Sequence, residues 1–487
     1  MLAPGSERFK IGFVRSEDQP WDAAERYERF REQIFGAAAR EDTPFFAGLG
    51  TSPSEMDVQS LWFEGAFGDE FEAVDGQRVK VTDFGVWNSA AGPDFTDGAV
   101  EVDGEVFRGD IELDPDVRDW ERHRHGANAD FNRVRLHVFW HGPEERRAFT
   151  RTANHREIVQ VRLTPEMLEG NRRPKSGLAS ARLGRCSMPL KGLELDRVRS
   201  MIESAAQHRL QRKSERLHRW IARHGREQAV FQALGETLGY RGNAHPFLIL
   251  CQRLPVRRLL KMSGDEREAM LFGVSGFLES VRYEDTQPET RTYLRRLWSE
   301  WWKVRDGCEK WLEETHRLQW RVAGTRPGNH PQRRLGALAA ILRLWKDVYR
   351  GLKEAEAWDE KSWRGVMTEL EHEFWSGHYT LLAEPAAKPM ALVGDTRVQE
   401  MMANAIYPLL IPDRPLLWKT YVELPARLGN QKVRRAMLRL FGDHPEASEF
   451  GRKLHQQQGL LQIYEDFCLE DDSGCDDCPF PEQMRKW

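Results

Sequence analysis

No stretch of the chain approaches the run of about 20 apolar residues that a membrane-spanning helix needs. The opening segment MLAPGSERFKIGFVRSEDQPWDAAERYERF has neither an apolar core nor a small-residue cleavage site. No membrane partner and no secretory leader are therefore expected, and the cytoplasm is the expected location. Excess charge of either sign is also lacking: a formal net charge of -4 on 487 residues gives no global attraction to nucleic acid, although local basic surfaces can exist within an acidic total. Walker and dinucleotide-binding glycine patterns do not occur, so neither an ATP-driven nor a redox role is indicated. Cysteine is sparse, at six residues, and Cys468, Cys475 and Cys478 crowd near the C-terminus. That distribution is unlike a secreted disulfide framework and points to metal binding or to reduced thiols.

What is present describes a globular chain, with 30% charged and 40% hydrophobic residues. Its length calls for two or three domains. Tryptophan is abundant, at 17, and occurs in pairs such as Trp301-Trp302, which favours large packed helical interfaces. Residues 1–52 form a polar arm, expected to lie outside the main fold. An α/β module follows over 53–165. Helical spacing in EMDVQSLWFEGAF gives way to period two in QRVKVTDFGVWN. GAVEV and EVFRGDIEL flank Asp103-Gly104, a hairpin signal. DWERHRHGANADFNR reads as a short helix and loop, and VRLHVFWH and HREIVQVRLT as two more strands. Residues 166–465 read as a large, mostly α-helical region of amphipathic stretches, and residues 466–487 as a cysteine-containing segment expected to pack back on the module.

The hairpin carries the chemistry. Asp94 stands at its entrance in WNSAAGPDF, and Glu112 lies on its second strand in GDIELD. Two carboxylates converging from adjacent strands suit a hard divalent cation, Mg²⁺ or Mn²⁺, which takes oxygen ligands and keeps several waters. Asp110, Asp114 and Asp116 crowd beside them, and such a cluster repels itself without a cation or a basic partner; Arg108, Arg118 and Arg122 are the nearby basic residues. The plain alternative is an ordinary turn and a solvated strand face. His123, His125 and His137 lie close in sequence and can serve as a general base or as ligands for zinc or manganese. His137 fits a hydrogen-bonded core role equally well.

The runs AGPDF, GDIEL, DWERHRH, FNRVRLHV, FGVSGFLE, RPGNHPQRRLGALAAIL, IYPLL and DFC with CDDC resemble, in order and spacing from Glu55 to Cys478, the uncharacterised bacterial family known as domain of unknown function 2851. More distantly, the module is similar to PD-(D/E)xK nucleases. That resemblance implies a restriction-endonuclease-like fold and metal-dependent cleavage of nucleic-acid phosphodiesters. Pro93-Asp94 matches the Pro-Asp of the motif and Glu112 its second acidic position, but Asp114 stands where the motif has lysine. Arg118 or a neighbouring histidine is then the expected substitute. Asp94, Glu112, Asp114 and His123 are the expected catalytic residues, with Asp94 and Glu112 as metal ligands. The alternatives are a non-catalytic nucleic-acid-binding or scaffold protein that kept the fold, and a histidine-assisted hydrolase acting on another substrate.

Two further sites are expected. The spacing C-x6-C-x2-C of Cys468, Cys475 and Cys478, completed by Cys186, offers four thiolates for zinc or an iron–sulfur cluster. Arg209, Arg212, Arg216 and Arg219, at helical spacings along one flank, form a candidate phosphate track, against the plain reading of a solvated helix face. Cys251 and Cys308 fit buried apolar packing.

Overall fold

The Asp103-Gly104 pair takes φ of 49° and 92°, the left-handed geometry of a type I′ two-residue hairpin turn. It joins β4 (Phe95–Val102) to β5 (Glu105–Asp116) as expected. In this computed structural model the described residues are 21–35, 54–88, 91–142, 150–170, 188–240, 242–281, 283–323, 325–427, 431–442, 445–469 and 480–487.

The hairpin is the centre of a seven-stranded sheet ordered β1-β2-β4-β5-β6-β7, with β3 also on β4. The other strands are β1 (Glu70–Glu72), β2 (Arg78–Asp83), β3 (Val86–Trp87), β6 (Val134–His141) and β7 (Val159–Arg162). β1 to β5 pair antiparallel, whereas β5-β6 and β6-β7 pair parallel. A parallel neighbour needs a crossover, and residues 117–133 supply it through the short helix Asp119–Arg122 and two 3₁₀ turns. The sheet curls far enough that Ala73, beside β1, bridges Val161 of β7.

Alternation along β5 separates two environments. Ile111 and Leu113 join the main core with Leu136, Val138 and residues of α2 (Glu55–Glu64), including Trp62, which stacks on Phe71. Glu112 and Asp114 therefore face the other side. A capping box between Ser54 and Asp57 starts α2, so Glu55 occupies its first turn.

The helical region is built around α3 (Leu195–His224), α4 (Arg226–Gly239) and α5 (Ala244–Arg253). α5 ties the region to the module: His245 lies 2.6 Å from Asp57, and the Ser60 hydroxyl donates to Gln252 at 2.9 Å. The RPGNHPQRRLGALAAIL run forms the helix Pro331–Arg343. Its Arg333 is buried and donates to the carbonyls of Trp375, His378, Met390 and Ala391, holding the irregular segment 374–392 in place. Gly336 is needed because Trp375 lies flat on it; a Cβ there would sit 2.2 Å from the ring. Gly336→Ala is expected to lower stability by about 1–3 kcal/mol, the usual cost of overpacking, read as a lower midpoint in a denaturant titration.

The described part of the arm does not stand apart. Residues 22–35 form α1 (Asp22–Phe35), whose Ala24, Tyr27, Phe30 and Ile34 recur every three or four residues and so share one face. Tyr27 and Phe30 pack with Met201 and Ile202 of α3 and with Phe467, Phe480 and Met484 in a second hydrophobic cluster. The C-terminal helix Phe480–Met484 thus lies against α1 and α3.

Candidate functional site

The two hairpin carboxylates meet through reciprocal backbone bonds. The Asp94 amide donates to Glu112 Oε2 at 2.9 Å, and the Leu113 amide donates to Asp94 Oδ2 at 3.1 Å. Asn88 clamps the same turn, its amide donating to the Asp94 carbonyl at 2.7 Å and its side chain to the Pro93 carbonyl at 2.7 Å. One oxygen of each carboxylate is thereby fixed to the backbone, and the other is left for the site. Asp94, Glu112 and Asp114 are all buried.

Lys310 reaches the hairpin from the helical region. Its Nζ donates to Asp94 Oδ1 at 3.0 Å and to the Gly92 carbonyl at 3.1 Å. It belongs to the short helix Glu309–Leu312. Trp311 Nε1 anchors that helix to the Asn88 carbonyl at 2.9 Å, and buried Arg253 of α5 holds the following turn through the His316 carbonyl at 2.8 Å. Burial alone would depress the Lys310 ammonium, but Asp94 and Glu112 hold it above its ordinary value. It is therefore charged at neutral pH.

One ammonium does not balance the site. Burial, reinforced by Asp94 and Asp114, pushes the Glu55 carboxyl up to about 8 in spite of Lys310; the Gln59 amide donates to it at 3.0 Å. Burial, again reinforced by Asp94, raises Glu112 as well. Such shifts mark a carboxylate cluster short of positive charge.

The histidines converge on Asp114. Buried His137 lies in register with Glu112 on β6, and its Nε2 is 3.1 Å from Asp114 Oδ2. His123 Nδ1 is 3.6 Å, and His125 Nε2 4.0 Å, from the other oxygen, Oδ1; His125 Nε2 is also 3.3 Å from Glu112 Oε1. Burial holds the His125 imidazole down at about 4, so it is neutral at physiological pH. Two groups of ligand atoms lie within 4.8 Å of one another: Asp114, His123 and His125, and Glu55, Asp94 and His316.

The remaining candidates are placed elsewhere. Asp110 accepts from the Asp97 amide at 3.1 Å, and Asp116 binds Arg118 at 2.6 Å. Arg118 is thus an exposed partner of Asp116. The phosphate track is corrected in two of its four members. Arg209 is buried against Glu465, Gln458 and Gln462. Arg216 is clasped between Glu236 and Glu64. The helix that carries them lies inside the fold, and each guanidinium needs an internal partner there. Arg212 is half-buried and Arg219 exposed. Of the cysteine set, Cys468 is half-buried, while Cys186, Cys475 and Cys478 lie outside the described residues. Cys251 and Cys308 are buried as expected.

Sequence reasoning missed Glu55 and Lys310. A carboxylate in the first turn of the helix that opens the module was a readable signal for Glu55. Nothing local marks Lys310, which is 216 residues from Asp94. Among the described residues, no helix is long and apolar enough to cross a membrane.

No curated protein and no solved structure matches the chain. A family model does match, over residues 55–415, from the first turn of α2 through the module and most of the helical region. The match covers well over half of the chain, which therefore belongs to the family described as Protein of unknown function (DUF2851).

Proposed function

We propose that this protein is a divalent-metal-dependent nuclease with a restriction-endonuclease-like, PD-(D/E)xK type of module. The observation that carries the reading is the Asp94–Glu112 pair with the Lys310 ammonium 3.0 Å from Asp94 Oδ1. A helix, an antiparallel hairpin, a crossover and a parallel strand occur in the order such a module requires, and the lysine comes from the helical region instead of the strand.

Asp94 and Glu112 would hold Mg²⁺ or Mn²⁺, with Glu55 beside them; all are oxygen donors, and the single Lys310 ammonium leaves the cluster short of positive charge, so the residues fit a hard cation. Such an ion supplies an activated water and stabilises the charged phosphate transition state. Lys310 would orient that water and offset charge on the phosphate oxygen. Exposed Arg118, Arg122 and Arg124 flank exposed His123 and would contact the phosphate backbone. In this reading nucleic acid meets the crossover side of the module, away from α3.

The test is cleavage of labelled single- and double-stranded DNA and RNA with Mg²⁺ or Mn²⁺. Metal-dependent cleavage is expected. Binding without cleavage of any of these substrates would overturn the nuclease reading in favour of a non-catalytic nucleic-acid-binding protein. The convergence of His123, His125 and His137 on Asp114 favours one other reading, a histidine-assisted hydrolase. Turnover of a small phosphodiester ester with every nucleic acid left intact would select it.

A further inference from the structure

We propose that His123, His125 and Asp114, with Glu112 as a carboxylate shared with the site above, form a second cation site that takes a first-row transition ion such as Zn²⁺, Mn²⁺ or Co²⁺ in preference to Mg²⁺. Imidazole suits these ions, whereas Mg²⁺ favours oxygen ligands and water.

The chain is bent to make the site. Arg124, between the two histidines, holds φ of 59°, a left-handed conformation that an arginine adopts only when its surroundings enforce it. The bend lets residues two apart turn toward one carboxylate. His125 is fixed by stacking on Phe131, with ring centroids 4.0 Å apart, and by the edge of Trp120. Its Nε2 atom is buried and makes no hydrogen bond among the described residues, although Glu112 Oε1 is 3.3 Å away. An imidazole nitrogen held in that way, facing two carboxylates, is placed to ligate a cation.

Asp114 is prepared in the same sense. Buried His137 holds Oδ2 at 3.1 Å, leaving Oδ1 toward His123 and His125 at 3.6 and 4.0 Å. Ligand atoms bonded at about 2.0–2.2 Å to one tetrahedral ion lie roughly 3.4 Å apart, so small side-chain movements complete the shell. A buried histidine fixing a ligating carboxylate is the kind of outer partner that orients metal ligands. The inference does not depend on the substrate proposed above, because it concerns only which ion these side chains bind.

The probe is Co²⁺, titrated into the full-length chain in excess Mg²⁺ and followed by its visible d–d absorption. A Cys475→Ser background removes one terminal thiolate, and any thiolate-bound Co²⁺ declares itself by near-ultraviolet charge transfer. One saturable site free of thiolate bands is expected. His123→Ala and His125→Gln should each weaken it at least about tenfold, and His137→Gln by roughly 10–100-fold, as loss of an outer partner does. Asp94→Asn should leave it in place. Because the His123 side chain is 55% exposed, removing it does not disturb the core. Absence of saturable binding, or binding indifferent to both the His123 and His125 changes, would overturn the proposal. Co²⁺ bound through the histidines with no nucleic acid cleaved would leave this site standing and remove the nuclease reading alone.

Discussion

Metal-dependent cleavage is expected to fall by about 10²–10³-fold in Lys310→Met, as on removal of one preorganised group from a transition state, and to disappear in Asp94→Asn and Glu112→Gln. The ammonium is 3.0 Å from Asp94 Oδ1 on a side chain only 13% exposed, where a charge acts far more strongly than in water. The methionine keeps the length and apolar stem of the side chain, so the helix Glu309–Leu312 retains its anchors at Asn88 and Arg253. The loss should therefore appear in kcat, with KM little changed, at matched circular dichroism. Wild-type rates in Lys310→Met would show that this cation takes no part in the reaction. Unchanged rates in Asp94→Asn would remove the hairpin site altogether.

Glu465→Ala is expected to destabilise the fold by about 3–5 kcal/mol, the cost of leaving buried charges without their partner. Glu465 lies 2.6 Å from Arg209 and also binds Lys432, with Lys213 close by on α3 and bonded to Gln458 at 2.7 Å. Burial alone would raise the Glu465 carboxyl, but Arg209 and Lys432 outweigh it and hold it at about 2, below its ordinary value of 4.5. A carboxyl depressed in the folded state contributes stability that is complete above its unfolded value and is lost as pH falls toward the folded one. Wild type should accordingly lose roughly 3 kcal/mol from this group between about pH 4.5 and pH 2. Glu465→Ala should lack that part of the acid dependence. Denaturant titrations of both proteins across this range measure it, and parallel pH profiles would show that Arg209 and Lys432 are satisfied without Glu465.

Much of the module was legible because its signals are local. Period-two alternation marked β2, β4 and β5, β-propensity marked β6, and Asp103-Gly104 marked the hairpin, since a type I′ turn needs positive φ at both central residues. Pro93-Asp94 and Glu112 were paired on paper because a hairpin brings its own two strands together. β1 and β3 were not separated out, being three and two residues long, too short for a period to show. The phosphate track on α3 was misjudged for an equally physical reason. A run of arginines looks the same in sequence on a solvated face and in a buried network, and only the positions of Glu465, Glu236 and Glu64 distinguish the two for Arg209 and Arg216.

The sequence by itself determined most of the elements: where the longer helices and strands run, which carboxylates share a hairpin, and that none of the described helices is fit to span a membrane. Tertiary structure alone decided what faces those carboxylates. Lys310 reaches Asp94 across 216 residues and Arg209 reaches Glu465 across 256, while α1 packs on α3 and the C-terminal helix. Periodicity is a property of neighbours along the chain, whereas charge compensation in a buried site depends on which distant surfaces pack together, and no local pattern records that choice.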